Sequence, residues 1–100
     1  MADRKSWNAI KRARRETAAR RDAYRSAKET FELAERVRRT RQKLGMTQTE
    51  LAARIGSTQP AMARLEAGGV TPSLETLHRI AEALGLELVI DLRTPRRASA

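Results

Sequence analysis

"MTQTELAARIGSTQPAMARLEAG", Met46 to Gly68, holds two short apolar patterns either side of one glycine. Leu51, Ala52 and Ile55 recur at helical spacing in the first half, Met62 and Leu65 in the second. Neither half reaches the roughly 12–15 residues at which an isolated helix becomes even marginal in water, so each must be held by packing. Thr47 and Glu50 have the S/T-x-x-E spacing of a capping box and open a helix through about Ile55. Gly56 supplies a residue for which positive φ carries no steric cost. Ser57 and Thr58 provide the next cap, and Pro60 is tolerated because first-turn N–H groups have no intrahelical acceptor. The following helix runs to about Ala67 and stops at Gly68-Gly69.

The pattern extends in both directions. Upstream, Leu33, Val37 and Leu44 form a helical stripe that passes through Thr40, and Tyr24, Ala27, Phe31 and Ala34 form a second stripe on another face. Gly45 ends that helix as a C-terminal cap. Downstream, Pro72 and Ser73 introduce a fourth helix with Leu74, Leu77, Ile80, Ala81 and Leu84 on one stripe, closed by Gly85. In "LELVIDL", Leu86, Leu88, Ile90 and Leu92 alternate with Glu87, Val89 and Asp91, which predicts a half-buried strand. A lone strand leaves both sheet edges unpaired, so this one is expected to pair with its own copy about a two-fold axis. The predicted fold is mainly α, a small helical bundle with one C-terminal strand pairing across a dimer. It divides into a basic helix-prone arm (1–23), the helical domain (24–85), the dimerisation strand (86–92) and a frayed basic tail (93–100).

Charge separates these parts further. The 100 residues carry a formal net charge of +9, but residues 1–30 hold ten Lys/Arg against four Asp/Glu, and residues 31–92 hold eight of each. A basic field of this kind favours polyanionic partners. The arm offers only Trp7, Ile10 and Tyr24 as large apolar residues beyond Met1, too few to order it alone. It contains no Pro or Gly and is rich in Ala and Arg, so it is expected to be helical where it touches something. There is no cysteine, which excludes disulfides and Cys-ligated zinc. No apolar run approaches a membrane span or a signal-peptide core, so a soluble cytoplasmic protein is expected. No His/Asp/Glu cluster has metal spacing, and no Ser or Lys lies in a phosphate-loop or nucleophile-elbow motif. The single histidine, His78, reads as an ordinary helical residue. Neither an enzyme, nor a metal site, nor a cofactor is expected.

Two short helices meeting at a fixed angle need a small residue at the crossing, a left-handed turn and an apolar lock. Ala52, Gly56 and Met62 supply these, which is the logic of the helix-turn-helix. Leu44 to Leu84 resembles the XRE/phage-repressor (lambda-repressor-like) type of this domain, with Gln48, Leu51, Ala52, Gly56, Thr58, Met62, Glu66 and Gly68 in register and Met62 where Ile or Val is usual. The resemblance implies that Gln48 grips a phosphate. It also implies that Thr58, Gln59, Ala61 and Arg64 face DNA, with Thr47 and Ser57 beside them at the helix starts. Glu66 is implied to pair with Arg41, which can also reach phosphate. The side chains suit these roles: Gln can pair with adenine N6/N7, Arg with guanine O6/N7, and a methyl can touch the thymine methyl. Pro60, Ala61 and Ala63 replace polar groups frequent in the family, which leaves fewer polar readers.

Residues 24–92 with the arm also resemble HigA-type antitoxins of bacterial type II toxin–antitoxin systems. That resemblance implies a homodimer on a palindromic duplex operator, nucleoid-associated in a bacterial cytoplasm, repressing its own operon. It also implies neutralisation of a RelE/HigB-like mRNA-cleaving toxin, for which Trp7, Ile10 and Tyr24 are the candidate anchors. Two alternatives stay open: a stand-alone XRE regulator with no toxin partner, and an adaptor whose basic arm binds RNA or an acidic protein.

Overall fold

The computed structural model describes residues 4–96 and consists of four helices. They are α1 (Arg4–Lys43), α2 (Gln48–Ile55), α3 (Gln59–Glu66) and α4 (Leu74–Leu84). The last 14 residues of α1 pack with α2, α3 and α4 around one core. The rest of α1 projects from it, which stretches the molecule to 66 × 33 × 21 Å.

The caps fall where local chemistry places them. Thr47 is the N-cap of α2, its hydroxyl accepting from the Glu50 N–H at 3.0 Å. Thr58 caps α3 by accepting from the Ala61 N–H at 3.3 Å, with Pro60 in the first turn. Ser73 caps α4 by accepting from the Thr76 N–H at 3.1 Å. Gly56 adopts φ +69° at the end of α2, and the following Ser57 N–H donates to the Ala52 carbonyl at 2.8 Å. The chain thereby turns directly into α3. Leu51, Ala52, Ile55, Met62 and Leu65 are buried, with Val37 and Met46 from the α1 side and Ile80 and Leu84 from α4. Leu51 and Met62 are the most completely enclosed side chains of this group. Where α1 passes the turn after α3, Gly68 lies against Phe31, and the Thr30 and Thr71 hydroxyls share a 3.3 Å hydrogen bond.

Three expectations are corrected. The face of α1 turned to the core takes Val37 from one predicted stripe and Ala34 from the other, and its line runs from Thr30 through these two to Arg41. Leu44 is 54% exposed and Leu74 57%, so both drop out of the core, and Phe31 is only grazed by Gly68. The arm is not ordered by contact. It continues α1 without a break from Arg4, although residues 5–29 are exposed throughout. Continuity with the packed half of α1 removes the nucleation cost, after which each Ala or Arg adds to the helix at little expense.

The third correction is the strand. Among the described residues there is none, and residues 86–96 carry no regular secondary structure and no ladder pairing. A ladder needs a partner, and this segment is the chain's single run of strand-like alternation. Leu86 and Leu88 still turn towards Leu33, Val37, Leu77 and Ile80, half-buried in a shallow cleft, while Ile90 and Leu92 are exposed. The outer part of the tail expected at 93–100 lies outside the described residues, as does the start of the arm before Arg4. Among the described residues, no helix is long and apolar enough to cross a membrane, and no cluster of His, Asp and Glu is placed to hold a metal ion.

Candidate nucleic-acid interface

The start of α3 is a polar, accessible surface on a rigid base. Ser57, Thr58, Gln59 and Arg64 are exposed, and Ala61 is half-buried between them. Thr47 is exposed and Gln48 half-buried at the start of α2. The turn at Gly56 brings these two helix starts together, and the contact is a side-chain one: Gln59 Nε2 donates to Gln48 Oε1 at 2.9 Å.

That contact is the outer end of a buried chain of hydrogen bonds. Gln48 Nε2 donates to Glu66 Oε1 at 3.2 Å. The Glu66 carboxylate also accepts two bonds from Arg41, from Nε at 2.7 Å and from Nη2 at 2.8 Å. Arg41 Nη1 donates to the Met46 carbonyl at 2.7 Å, which fixes the turn between α1 and α2. Arg41 and Glu66 are 9% and 4% exposed, so the bidentate pair works in a poorly hydrated setting where its bonds are strongest. The Glu66 hydrogen bonds hold the Arg41 pKa above its ordinary value; burial works against them, and the Glu66 charge adds to them. Among the described residues, no buried side-chain polar atom is left unpaired.

The network settles what each predicted residue has to offer. Arg41 was expected to pair with Glu66 and also to reach phosphate. The pair is present, and three of the five guanidinium N–H groups are engaged by Glu66 and the Met46 carbonyl. Gln48 has one N–H and its oxygen bound within the protein, which leaves its second N–H to point outward. Gln59 gives one N–H to Gln48 and retains its oxygen and its other N–H, the donor and acceptor that an adenine edge requires. The bridge from Gln59 through Gln48 to Glu66 is not legible in the spacing of those residues. Trp7, Ile10 and Tyr24 stand apart from this surface, out on the projecting half of α1. At about 100° per residue they span roughly 100° of the helix circumference.

The helix-turn-helix family profile matches residues 37–90, which begin in the packed half of α1 and end in the segment after α4. The chain belongs to the helix-turn-helix family of the XRE type. It is 48% identical over 56 residues to an uncharacterized HTH-type transcriptional regulator of Methanothermobacter thermautotrophicus, a match covering 56% of this chain and 81% of that one. A second such regulator, from Sinorhizobium fredii, is 42% identical over 57% of this chain and 73% of its own length. A third, from Haemophilus influenzae, is 43% identical over 51% of this chain and 52% of its own. No solved structure matches the chain.

Proposed function

We propose that this protein is a sequence-specific DNA-binding transcriptional regulator that reads a duplex operator with the start of α3. The observation that supports the reading is the exposure of Thr58, Gln59 and Arg64 on α3 and its N-cap, with Gln59 held from behind by the Gln48–Glu66–Arg41 chain. A recognition element needs readers whose positions are fixed before DNA arrives, because each loose side chain costs ordering entropy on binding. Gln59 suits adenine and Arg64 suits guanine, while Ala61 offers a methyl to thymine. Gln48 and the hydroxyls of Thr47 and Ser57 suit phosphates, which position the domain without reading sequence.

In this reading the regulator is a homodimer on a near-palindromic site in its own operon. Residues 86–92 support that assembly: Leu86 and Leu88 tether the segment to the core, while the segment itself has no ladder partner among the described residues. Pairing with a second copy about a two-fold axis gives the ladder that one chain lacks and presents two α3 helices to two half-sites. Fluorescence anisotropy with a labelled duplex from upstream of the gene tests the whole reading. Tight binding that Gln59→Ala and Arg64→Ala weaken is expected, and binding unchanged by both would reject it.

A second reading adds a protein partner, a RelE/HigB-like mRNA-cleaving toxin that the arm neutralises. The observation favouring it is the exposure of Trp7, Ile10 and Tyr24 (47%, 42% and 74%) on the projecting half of α1. Aromatic side chains presented in this way are frequent anchors of protein interfaces. A stand-alone regulator without a toxin is consistent with the same site.

A further inference from the structure

The projecting half of α1 carries basic residues on most of its faces, Lys5, Arg12, Arg15 and Arg20 among them, and five others form one continuous line. Lys11, Arg14, Arg21, Arg25 and Lys28 follow one another at steps of three, seven, four and three, the spacing that keeps side chains on one side of a helix, with only Ala18 interrupting the line. The stripe is straight and about 25 Å long at 1.5 Å per residue. All five residues are exposed. Among the described residues, Arg14, Arg21 and Arg25 make no ion pair, and Lys28 makes only an open one with Glu32 at 3.9 Å. Lys11 and Arg14 lie over the Trp7 ring, 5.3 and 5.9 Å from its centre, which steadies the end of the line. Asp22 and Glu29 beside the stripe and Glu32 at its end do not offset five cations.

Five cations held in line on one rigid rod raise a strong repulsive field, which a soluble helix has no structural reason to keep. The same arrangement is favourable against a continuous line of negative charge. Duplex DNA carries about one charge per 1.7 Å of axis and releases condensed counterions when cations approach. We propose that the stripe Lys11, Arg14, Arg21, Arg25 and Lys28 is a second DNA-binding element that lies on the phosphate backbone of duplex DNA and reads no sequence. It rests on the reading that this chain binds DNA, but uses none of the α3 residues. Arg14 and Arg21 flank Ile10, and Arg21, Arg25 and Lys28 flank Tyr24, so substitution of the cations and of the apolar side chains, rather than their position, separates the two roles.

The test replaces all five cations with Gln in the full-length chain, which keeps good helix propensity. Circular dichroism matching the wild type establishes that α1 is retained. Binding to a 40-base-pair duplex of arbitrary sequence is then followed from low to high salt. Each phosphate contact contributes about 0.9 to the slope of log affinity against log salt, so the variant's slope should be shallower by about 4–5. A change below about 2 would overturn the proposal. The sole tryptophan supplies a local readout: DNA should change the fluorescence of Trp7 in the wild type but not in the variant. Two controls separate this element from the α3 site. Gln59→Ala with Arg64→Ala should leave the arm-dependent part of the slope intact, and Tyr24→Ala should leave the whole slope intact. A stripe that governs binding to a duplex RNA or to anionic vesicles, while the DNA slope stays unchanged, would also overturn the proposal.

Discussion

Glu66→Ala removes the hub of the buried network. The Arg41 guanidinium would keep only its bond to the Met46 carbonyl, and two of its donors would face a cavity that water does not readily fill. Breaking a buried ion pair from one side costs about 3–5 kcal/mol, because the remaining charge is uncompensated. Domains of this size are stable by only about 5–15 kcal/mol, so the loss removes a large part of the total. At about 4–8 °C per kcal/mol, the melting temperature should fall by tens of degrees. Urea unfolding followed by circular dichroism measures it in Glu66→Ala, in Arg41→Met and in the double variant. The double variant should lose less than the two singles combined, since it leaves no orphan charge. Because the pair holds the Arg41 pKa above its ordinary value, its stabilisation is fully present below the unfolded-state pKa and is lost only as pH rises through the still higher folded one. On the Arg41 side, the difference between wild type and Glu66→Ala should therefore not change from neutrality to pH 10. Additive losses below about 1 kcal/mol would refute the reasoning and show a pair that behaves like an exposed one.

Other outcomes follow from the site, the caps and the termini. Arg64→Ala should cost roughly 1–3 kcal/mol of operator binding and relax preference at one base pair per half-site; equal loss across all sequences would make Arg64 a phosphate contact. Thr58→Ala should lower stability by about 1 kcal/mol in urea titrations, since the Ala61 N–H loses its acceptor. Truncation before Leu86, measured by sedimentation, should yield monomers with much weaker operator binding, whereas a truncated chain that stays dimeric would exclude pairing through residues 86–92. If the arm neutralises such a toxin, deleting residues 1–22 should impair inhibition in an mRNA-cleavage assay far more than deletion of the last residues after Leu92. Undiminished inhibition would remove the arm from that role, and no inhibition by the undeleted chain would favour the stand-alone regulator.

Much of this fold was legible because its signals are local. Thr47, Thr58 and Ser73 cap helices through bonds to residues three positions on, and Gly56 and Gly85 end them with positive φ, so a few adjacent letters specify each boundary. The face of α1 was harder. Its buried line runs through Arg41, and nothing in hydrophobic periodicity marks an arginine as interior. Only the carboxylate of Glu66, 25 residues away, makes that burial tolerable. Resemblance supplied the pair, but its burial and the third bond from Arg41 to the Met46 carbonyl needed the packed geometry. The Gln59–Gln48 bond was likewise hidden, because it depends on the angle set at Gly56. The opposite failure occurred at 86–92: the alternation was visible, whereas a strand exists only when another strand lies beside it. The arm is an intermediate case. Its composition indicated helix, but its order arises from attachment to a packed helix rather than from contacts of its own.

The central claim is that the start of α3 reads bases. Selection of bound sequences from a random duplex library, with the wild-type chain and with Arg64→Ala, tests it most directly. The wild type should enrich one motif with two-fold symmetry, and Arg64→Ala should lose preference at a single base pair in each half while keeping the remainder. A wild-type chain that enriches no motif, or a motif identical in both proteins, would contradict the account.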